Sequence, residues 1–222
     1  MKVKLVSYST PSEELMEECV NTSNELIAYC ARVSNPGNQS NKATADKLLD
    51  YLAKENHWSP FEMVSVCVEV ETTRDIARQF LRHRSFSFQE FSQRYADPTK
   101  DLAFEVRDCR MQDTKNRQNS IPTDDFELAA EWLMRQTEVI NSAENAYKWA
   151  VKNGIAKEQA RAVLPEGNTV SRMYVNGTVR SWMHYIALRS GNGTQLEHIE
   201  VAKACADIIA PKFPFIMDYV CN

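Results

Sequence analysis

VSVCVEVETTRDIARQFLRHRSFSFQEFSQRY, residues 64–95, contains a strand, a helix and a polar loop in succession. Valine occupies every second position from Val64 to Val70, and this alternation predicts a strand with one buried face. Thr72 or Thr73 then caps a helix that begins near Arg74 and ends near Arg84. A strand followed directly by a helix indicates a protein of the α/β or α+β class.

The same patterns predict the elements on either side of this stretch. Further strands are expected over 2–8, 91–96, 102–107 and 169–176, and helices over 11–31, 42–56, 125–152, 156–163, 178–189 and 194–210. Composition predicts a loop over 34–38, a turn over 57–62, a polar loop over 108–123 and a last turn over 213–220. No repeat or linker interrupts the 222 residues, so a single domain over 1–222 is predicted, with a sheet topology that the pattern leaves open.

A cluster of arginines runs against the charge of the whole chain. The formal net charge is -4, yet one short window holds Arg74, Arg78, Arg82, Arg84 and Arg94. Guanidinium groups match the geometry of phosphate and carboxylate, whereas a polynucleotide binder usually carries a broad basic face. The pattern therefore favours a small phosphorylated ligand. The alternative is a surface helix whose arginines pair with nearby carboxylates.

Composition restricts the remaining possibilities. The chain is 43% hydrophobic and 25% charged, which is typical of a soluble globular protein. Its six cysteines form no CxxC pair and its four histidines lack metal-ligand spacing, so we expect reduced thiols and no metal site. No stretch approaches the ~20 apolar residues of a membrane span, and the first residues do not resemble a signal peptide. These features predict a cytoplasmic protein without a membrane partner.

Several residues are candidates for a site, each with an alternative. His83 lies between two arginines and either faces a ligand or only packs. Ser92 could be a nucleophile if a base lies near, but a hydrogen bond to a ligand phosphate is the preferred role. Glu90 either pairs with an arginine or accepts from a ligand. A second polar group comprises Arg161, Arg172, Arg180, His184 and Arg189, any of which could be an exposed helix residue.

These residues also form the motifs of a known family. Arg82-His83-Arg84, separated by seven residues from Ser92, resembles the signature of the flavin-dependent thymidylate synthases. The resemblance extends over roughly residues 28 to 200. Further segments follow in the family's order: Arg32-Val33-Ser34, His57-Trp58-Ser59-Pro60-Phe61-Glu62, Gln79, 90–95, 112–118, Ala160-Arg161 with Leu164-Pro165, and Thr178, Arg180, His184 and Arg189.

The resemblance implies a fold, a reaction and an assembly. Enzymes of this family methylate dUMP to dTMP, with methylenetetrahydrofolate as one-carbon donor and NADPH as the reductant of a bound FAD. They are homotetramers built around twisted, largely antiparallel sheets, and their active sites are shared between subunits. The flavin supplies the difficult chemistry, which agrees with the absence of a visible nucleophile–base pair.

The resemblance also implies the roles of individual residues. Arg189 matches the arginine that polarises the uracil N3, and Ser92 is the other candidate catalytic residue. The residues expected to contact FAD are Ser59, Arg82, His83, Arg84, Glu90, Thr178, Arg180 and His184. The residues expected to contact dUMP are Gln79, Arg82, Glu90, Ser92, Gln93, Arg94, Arg161 and Arg189.

Two other functions remain as alternatives, whereas a second mechanism for the same reaction is not supported. Ordinary thymidylate synthases attack uracil with a cysteine, but no cysteine lies within either basic cluster. A nucleic-acid-binding module would stack bases on the aromatics of residues 82–95 and would bind polynucleotides with a steep dependence on salt. A regulatory protein would bind dUMP without oxidising NADPH. The prediction for this chain is binding of small molecules and no nucleic acid.

Overall fold

A four-stranded antiparallel sheet organises the fold in the computed structural model, which describes residues 1–221. Its strands are β1 (Lys2–Tyr8), β2 (Ser65–Thr73), β3 (Ser87–Glu90) and β6 (Val170–Thr178), in the order β1-β2-β6-β3. Two shorter strands, β4 (Arg110–Gln112) and β5 (Ser120–Pro122), form a separate hairpin. The structure thus confirms the α/β class and the largely antiparallel sheet.

Nine α-helices and five 3₁₀ turns surround the sheet within the described residues. The 3₁₀ turns are Pro36–Asn38, Lys42–Thr44, Ser59–Glu62, Arg161–Val163 and Pro214–Tyr219. The helices are α1 (Glu13–Glu17), α2 (Ser23–Ala31), α3 (Ala45–Lys54), α4 (Arg74–Phe80), α5 (Pro98–Asp101), α6 (Phe126–Lys152), α7 (Lys157–Ala160), α8 (Val179–Arg189) and α9 (Leu196–Ile209).

The alternating valines of β2 form the centre of the core. Val66, Val68 and Val70 are fully buried, and Val68 lies opposite Val175 in the register of β2 with β6. On the other face of the same strands, Glu71 pairs with Arg172 of β6. The indole N–H of Trp182 in α8 donates to the carbonyl of Val66 at 3.0 Å, so α8 is fixed directly to β2.

The structure corrects the prediction of one helix over residues 11–31. Two helices, α1 and α2, are separated by Cys19, whose φ of 67° lies in the left-handed region and cannot continue a helix. Thr22 then begins α2 with a capping box to Glu25.

The structure also corrects four predictions made for residues 74–123. The predicted strand over 91–96 is wrong, because β3 ends at Glu90 and the amides of Tyr95 and Ala96 donate to the carbonyl of Ser92 in a turn. Residues 102–107 contribute only an isolated bridge between Phe104 and Thr169. Helix α4 ends at Phe80 rather than near Arg84, and the predicted loop over 108–123 contains the β4–β5 hairpin.

The long helix α6 leaves a row of apolar side chains exposed. Leu128, Trp132 and Val139 lie on one face at helical spacing, with 40%, 44% and 52% of each residue exposed. Phe126 and Trp149, near the two ends, are exposed by 85% and 63%. Among residues 1–221, no helix combines the length and hydropathy that crossing a bilayer requires.

Candidate active site

The turn between α4 and β3 presents two arginines to solvent and holds a half-buried histidine between them. The amide of His83 donates to the carbonyl of Phe80, and the amide of Phe86 donates to the carbonyl of His83. Phe86 is buried against Trp182, with ring centroids 4.7 Å apart, and anchors the turn to α8. Arg82 and Arg84 are consequently exposed on either side of a fixed imidazole.

His83 accepts a hydrogen bond from Arg189, which comes from the end of α8. Arg189 Nε lies 2.9 Å from His83 Nε2, and the imidazole packs edge-on against Tyr185 at 5.1 Å. Burial, followed by the charges of Arg189 and Arg82, lowers the pKa of His83 to about 4. The imidazole is therefore neutral at pH 7 and can accept from the guanidinium, so His83 both packs and orients Arg189.

Gln79 lies next to this pair and belongs to a buried polar network. Its Oε1 lies 3.2 Å from His198 Nδ1, and its Nε2 donates to Gln195 Oε1 at 2.9 Å. His198 Nε2 lies 3.0 Å from the hydroxyl of Tyr185. Gln79, His83, Tyr185, Arg189 and His198 thus form one connected group, called here the Arg189 cluster.

A second group of predicted residues gathers at the first turn of α8. Thr178 accepts from the amide of Ser181 and caps the helix, while the Ser181 hydroxyl donates to the carbonyl of Ser85. The turn containing Ser59 packs against the same helix, because Glu62 forms an ion pair with Arg180.

His184 lies one turn further along α8. Its ring contacts Trp58 edge-on, with centroids 4.7 Å apart. Burial and the charge of Arg180 lower the pKa of His184. Ser59, residues 82–85, Thr178, Arg180 and His184 are therefore close together around the start of α8.

Glu90 pairs with an arginine, the first of the two alternatives for this residue. Arg74 Nη1 lies 3.3 Å from Glu90 Oε1, and the hydroxyl of Ser171 donates to the same oxygen at 2.8 Å. Arg78 forms two hydrogen bonds with Glu166. Two arginines of the original cluster, Arg74 and Arg78, are thus structural ion-pair partners rather than free cations.

A third group contains Ser92, Gln93, Arg94 and Arg161, called here the Arg94 cluster. Arg94 lies 3.4 Å from Glu158 in α7, and Arg161 begins the 3₁₀ turn that follows the same helix. Gln93 is only 4% exposed, and its side-chain nitrogen has no hydrogen-bond partner in the described chain. Within residues 1–221, no hydrogen bond or ion pair joins this cluster to the Arg189 cluster.

The arginines divide into paired and unpaired sets. In the described part of the chain, no carboxylate forms an ion pair with Arg82, Arg84, Arg161 or Arg189. Side chains of this kind leave their donors available to an anion. No group of three or more His, Cys, Asp or Glu side chains arranged for a metal ion occurs in residues 1–221.

Some residues of these networks were absent from the predicted site. His198, Tyr185 and Gln195 carry no motif. His198 and Gln195 meet Gln79 across more than a hundred residues of sequence, and Tyr185 joins them through His198. Trp58 belongs to the segment His57-Trp58-Ser59-Pro60-Phe61-Glu62, but the sequence predicts no role for it. The only signal for His198 was a histidine in the first turn of an apolar helix, which on its own is typical of a core residue.

Comparison with known proteins assigns the chain to a family. The sequence profile of the family described as thymidylate synthase complementing protein matches residues 4–215. The chain is 47% identical over 216 residues to the probable flavin-dependent thymidylate synthase of Paramecium bursaria Chlorella virus 1, covering 97% of both proteins. It is 46% identical over 218 residues to the flavin-dependent thymidylate synthase of Synechocystis sp., again covering 97% of both.

A solved structure extends the comparison to the fold. The UMP/dUMP methylase PolB from Streptomyces cacaoi, crystallised with 5-Br UMP, superposes with a TM-score of 0.81 at 26% sequence identity. The match covers 98% of this chain and 92% of that protein. Sequence and fold lead to the same assignment, which confirms the resemblance of the motifs: the chain belongs to the thymidylate synthase complementing protein family, that of the flavin-dependent thymidylate synthases.

Proposed function

We propose that this chain is a methyltransferase that converts dUMP to dTMP, with methylenetetrahydrofolate as one-carbon donor and NADPH as reductant of a bound FAD. It acts in the cytoplasm as a single catalytic domain. One observation carries the proposal: Arg82, Arg84 and Arg189 surround a neutral His83 and have no carboxylate partners in the described chain. Such unpaired guanidiniums suit a nucleotide and a dinucleotide cofactor.

The residues around the start of α8 fit FAD. The dinucleotide carries a pyrophosphate, for which the exposed guanidiniums of Arg82 and Arg84 and the first turn of α8 provide positive charge. Ser59, Thr178, Arg180 and His184 would orient the cofactor from the same side, and Glu90 would reach it from β3. When bound, FAD supplies the hydride that reduces the transferred carbon, and the protein binds, orients and excludes water.

The remaining residues, together with Arg82 and Glu90, suit the nucleotide. Ser92, Gln93, Arg94 and Arg161 would hold its phosphate, with the buried amide nitrogen of Gln93 available as a donor. Gln79, Arg82, Glu90 and Arg189 would contact the base and sugar. A guanidinium held by a neutral imidazole beside the uracil imide would stabilise negative charge that develops there, which makes C5 more nucleophilic.

A cysteine nucleophile has little support in this geometry. Cys205 is fully buried among the residues that pack near Tyr185, and burial raises the pKa of its thiol. A protonated, enclosed thiol is a poor nucleophile, because the thiolate is the reactive form.

We also propose that the protein is a homotetramer whose active sites are shared between subunits. The Arg94 and Arg189 clusters are not joined by hydrogen bonds or ion pairs within residues 1–221, although both would bind one nucleotide. The exposed apolar row of α6, formed by Leu128, Trp132 and Val139, is suited to burial against another copy. A neighbouring subunit would then bring its Arg94 cluster to the Arg189 cluster of the first.

Anaerobic spectroscopy tests the reaction in stages. The purified protein should carry an oxidised flavin that NADPH bleaches. Addition of dUMP and methylenetetrahydrofolate should restore the oxidised spectrum and yield dTMP. Bleaching without restoration, with both substrates present, would contradict the methyl-transfer reaction. A colourless protein that binds polynucleotides, with an affinity that falls steeply with salt, would favour the nucleic-acid-binding alternative instead.

A further inference from the structure

A row of side-chain hydrogen bonds runs from the partly exposed Glu197 to the buried Tyr185 and passes through Gln79. Gln195 Nε2 donates to Glu197 Oε2 at 3.0 Å, and Gln79 Nε2 donates to Gln195 Oε1 at 2.9 Å. Gln79 Oε1 then lies 3.2 Å from His198 Nδ1, and His198 Nε2 lies 3.0 Å from the hydroxyl of Tyr185. His198 and Tyr185 are 0% and 1% exposed, so water does not compete for these positions.

The chemistry of the groups fixes the direction of every bond in this row. Arg110 donates a hydrogen bond to Glu197 at 2.6 Å. Arg107 Nη1 lies 3.0 Å from Glu197 and forms an ion pair with it, without the geometry of a hydrogen bond. These two positive charges hold Glu197 as a carboxylate. A carboxylate only accepts, so Gln195 must direct its nitrogen at Glu197 and its oxygen at Gln79. Gln79 must then direct its nitrogen at Gln195 and its oxygen at His198.

The same reasoning assigns the proton on His198. An amide oxygen has no hydrogen, so His198 Nδ1 carries the proton and donates to Gln79. His198 Nε2 is then a lone pair that accepts from the hydroxyl of Tyr185, which buries its only hydrogen in this bond. Burial, followed by the charges of Arg189 and His83, lowers the pKa of His198 to about 3, and the ring stays neutral.

Aromatic packing keeps the imidazole in this position. Phe80 stacks on Tyr185 with ring centroids 4.2 Å apart and lies 5.9 Å from the ring of His198. Gln79, the residue before Phe80, is left with one N–H and one oxygen lone pair for a ligand. Without His198, the side-chain amide of Gln79 could rotate by half a turn about its last bond. The N–H and the oxygen lone pair that face the ligand would then exchange positions.

We propose that His198 is a positioning residue, which fixes the side-chain amide of Gln79 in the orientation that the nucleotide requires. The inference rests on the proposed function, because contact between Gln79 and dUMP is part of that function. His198 itself touches no substrate. Its effect is transmitted through one hydrogen bond, with Tyr185 holding the proton of His198 on the nitrogen that faces Gln79.

A matched pair of substitutions separates this role from packing. Leucine and asparagine have nearly the same shape, but only asparagine offers an N–H close to the position of Nδ1. We expect His198→Leu to raise the Kd of the flavin-loaded protein for dUMP about tenfold, the effect of one buried hydrogen bond. His198→Asn should recover most of the affinity, and KM for dUMP should change more than kcat. Titration calorimetry with dUMP measures these affinities.

Further variants keep the test valid if His198→Leu folds poorly. Tyr185→Phe removes a single oxygen and frees the proton of His198 to move to Nε2. It should therefore raise the dUMP Kd by a smaller factor than His198→Leu does. Val201→Ala, one turn further along α9, removes buried methyl groups and should leave the dUMP Kd unchanged. Flavin content and circular dichroism check the folding of each variant.

A double-mutant cycle with Gln79→Ala decides whether the effect passes through Gln79. If it does, His198→Leu adds nothing to the loss already caused by Gln79→Ala. Equal losses for His198→Leu and His198→Asn, or additive losses in the cycle, would overturn the positioning role. If His198→Leu leaves the dUMP Kd unchanged while Gln79→Ala weakens dUMP binding, the positioning role is overturned and the proposed function stands. Wild-type protein that fails to bind dUMP would overturn both.

Discussion

Single residues of the Arg189 cluster depend on charge states that their neighbours impose. His83 and His198 are kept neutral mainly by burial, and Arg189 donates to His83 without a carboxylate partner in the described chain. A guanidinium paired with a neutral acceptor keeps its full positive charge for a ligand. The consequences for turnover, affinity and acid stability can each be measured.

Arg189→Ala should retain FAD but lose most turnover. In the proposed function Arg189 stabilises charge that develops on the uracil, and the loss of one such donor reduces kcat by roughly 10²–10³. The measurement is dTMP formation at saturating substrates, together with the flavin absorbance of the purified variant. Lys54→Ala, which removes an exposed cation of α3 away from the proposed site and the α6 row, is the control and should keep full activity. Full turnover in Arg189→Ala would rule out its role.

Ser92→Ala distinguishes a phosphate contact from a nucleophile. If Ser92 only donates to the phosphate, KM for dUMP should rise by roughly 10- to 100-fold, the value of a hydrogen bond to a charged group, while kcat at saturating dUMP survives. Ser87→Ala, at an exposed position of β3, should leave both parameters unchanged. Complete loss of turnover at any dUMP concentration would favour the nucleophile.

Acid should destabilise the protein through its buried histidines. The folded pKa of His198 is lowered to about 3, so the unfolded chain binds its proton first as the pH falls below about 6.5. Stability from the neutral ring is complete above that pH and is lost as the pH approaches 3. Between pH 6.5 and 4.5 the loss is roughly 2 kcal/mol for His198, and His83 adds a smaller amount because it is partly exposed.

Urea unfolding at pH 7 and pH 5 measures this loss. His198→Asn should lose less stability between the two pH values than the wild type does. The same pH dependence in both proteins would contradict a neutral buried His198.

At the scale of elements, local patterns predicted the long helices and three of the four strands of the main sheet, but they misplaced two strands and missed the irregular connections. Alternating valines predicted β2, and apolar spacing predicted α3, α6, α8 and α9. The break at Cys19 and the hairpin at 110–122 depend on a backbone conformation and on pairing, which hydrophobic periodicity does not report. The strand predicted over 91–96 lies at 87–90, because its partner β6 sets the register.

Contact between β6 and the turn before β3 requires glycine at position 177. A Cβ there would lie 2.3 Å from the ring of Phe86, which is enclosed by Phe80, Trp182 and Tyr185. Gly177→Ala should therefore destabilise the protein by roughly 1–3 kcal/mol, the usual effect of overpacking, and displace the turn that holds His83. Urea unfolding and flavin content measure the two effects. Gly37→Ala, where a Cβ meets nothing within 4 Å, is the control.

At the scale of the whole molecule, the motifs named candidate site residues but not how the fold groups them. The sequence resemblance named Gln79, Arg94, Arg161 and Arg189 as one nucleotide site, whereas the folded chain places them in two clusters without a connecting hydrogen bond or ion pair in residues 1–221. Long-range contacts such as Gln79 with His198 could not be inferred, because each partner alone resembles a core or surface residue.

Mixing two inactive variants tests whether subunits share each active site. If Arg189 of one subunit and Arg161 of another meet at one nucleotide, an Arg189→Ala tetramer and an Arg161→Ala tetramer should regain activity after subunit exchange. The regained activity comes from sites that receive neither substitution. Tetramers composed of the double variant are the control and should stay inactive. No recovery despite exchange, verified by mass spectrometry of labelled subunits, would place both arginines in the same subunit.

Release of tritium from dUMP labelled at C5 tests the central proposal most directly. With FAD, NADPH and methylenetetrahydrofolate present, tritium should appear in water together with an equal amount of dTMP. Omission of flavin or of methylenetetrahydrofolate should abolish the release. Folded, flavin-loaded protein that releases no tritium would contradict the account, because the arginines around His83 would then bind an anion without methylating uracil.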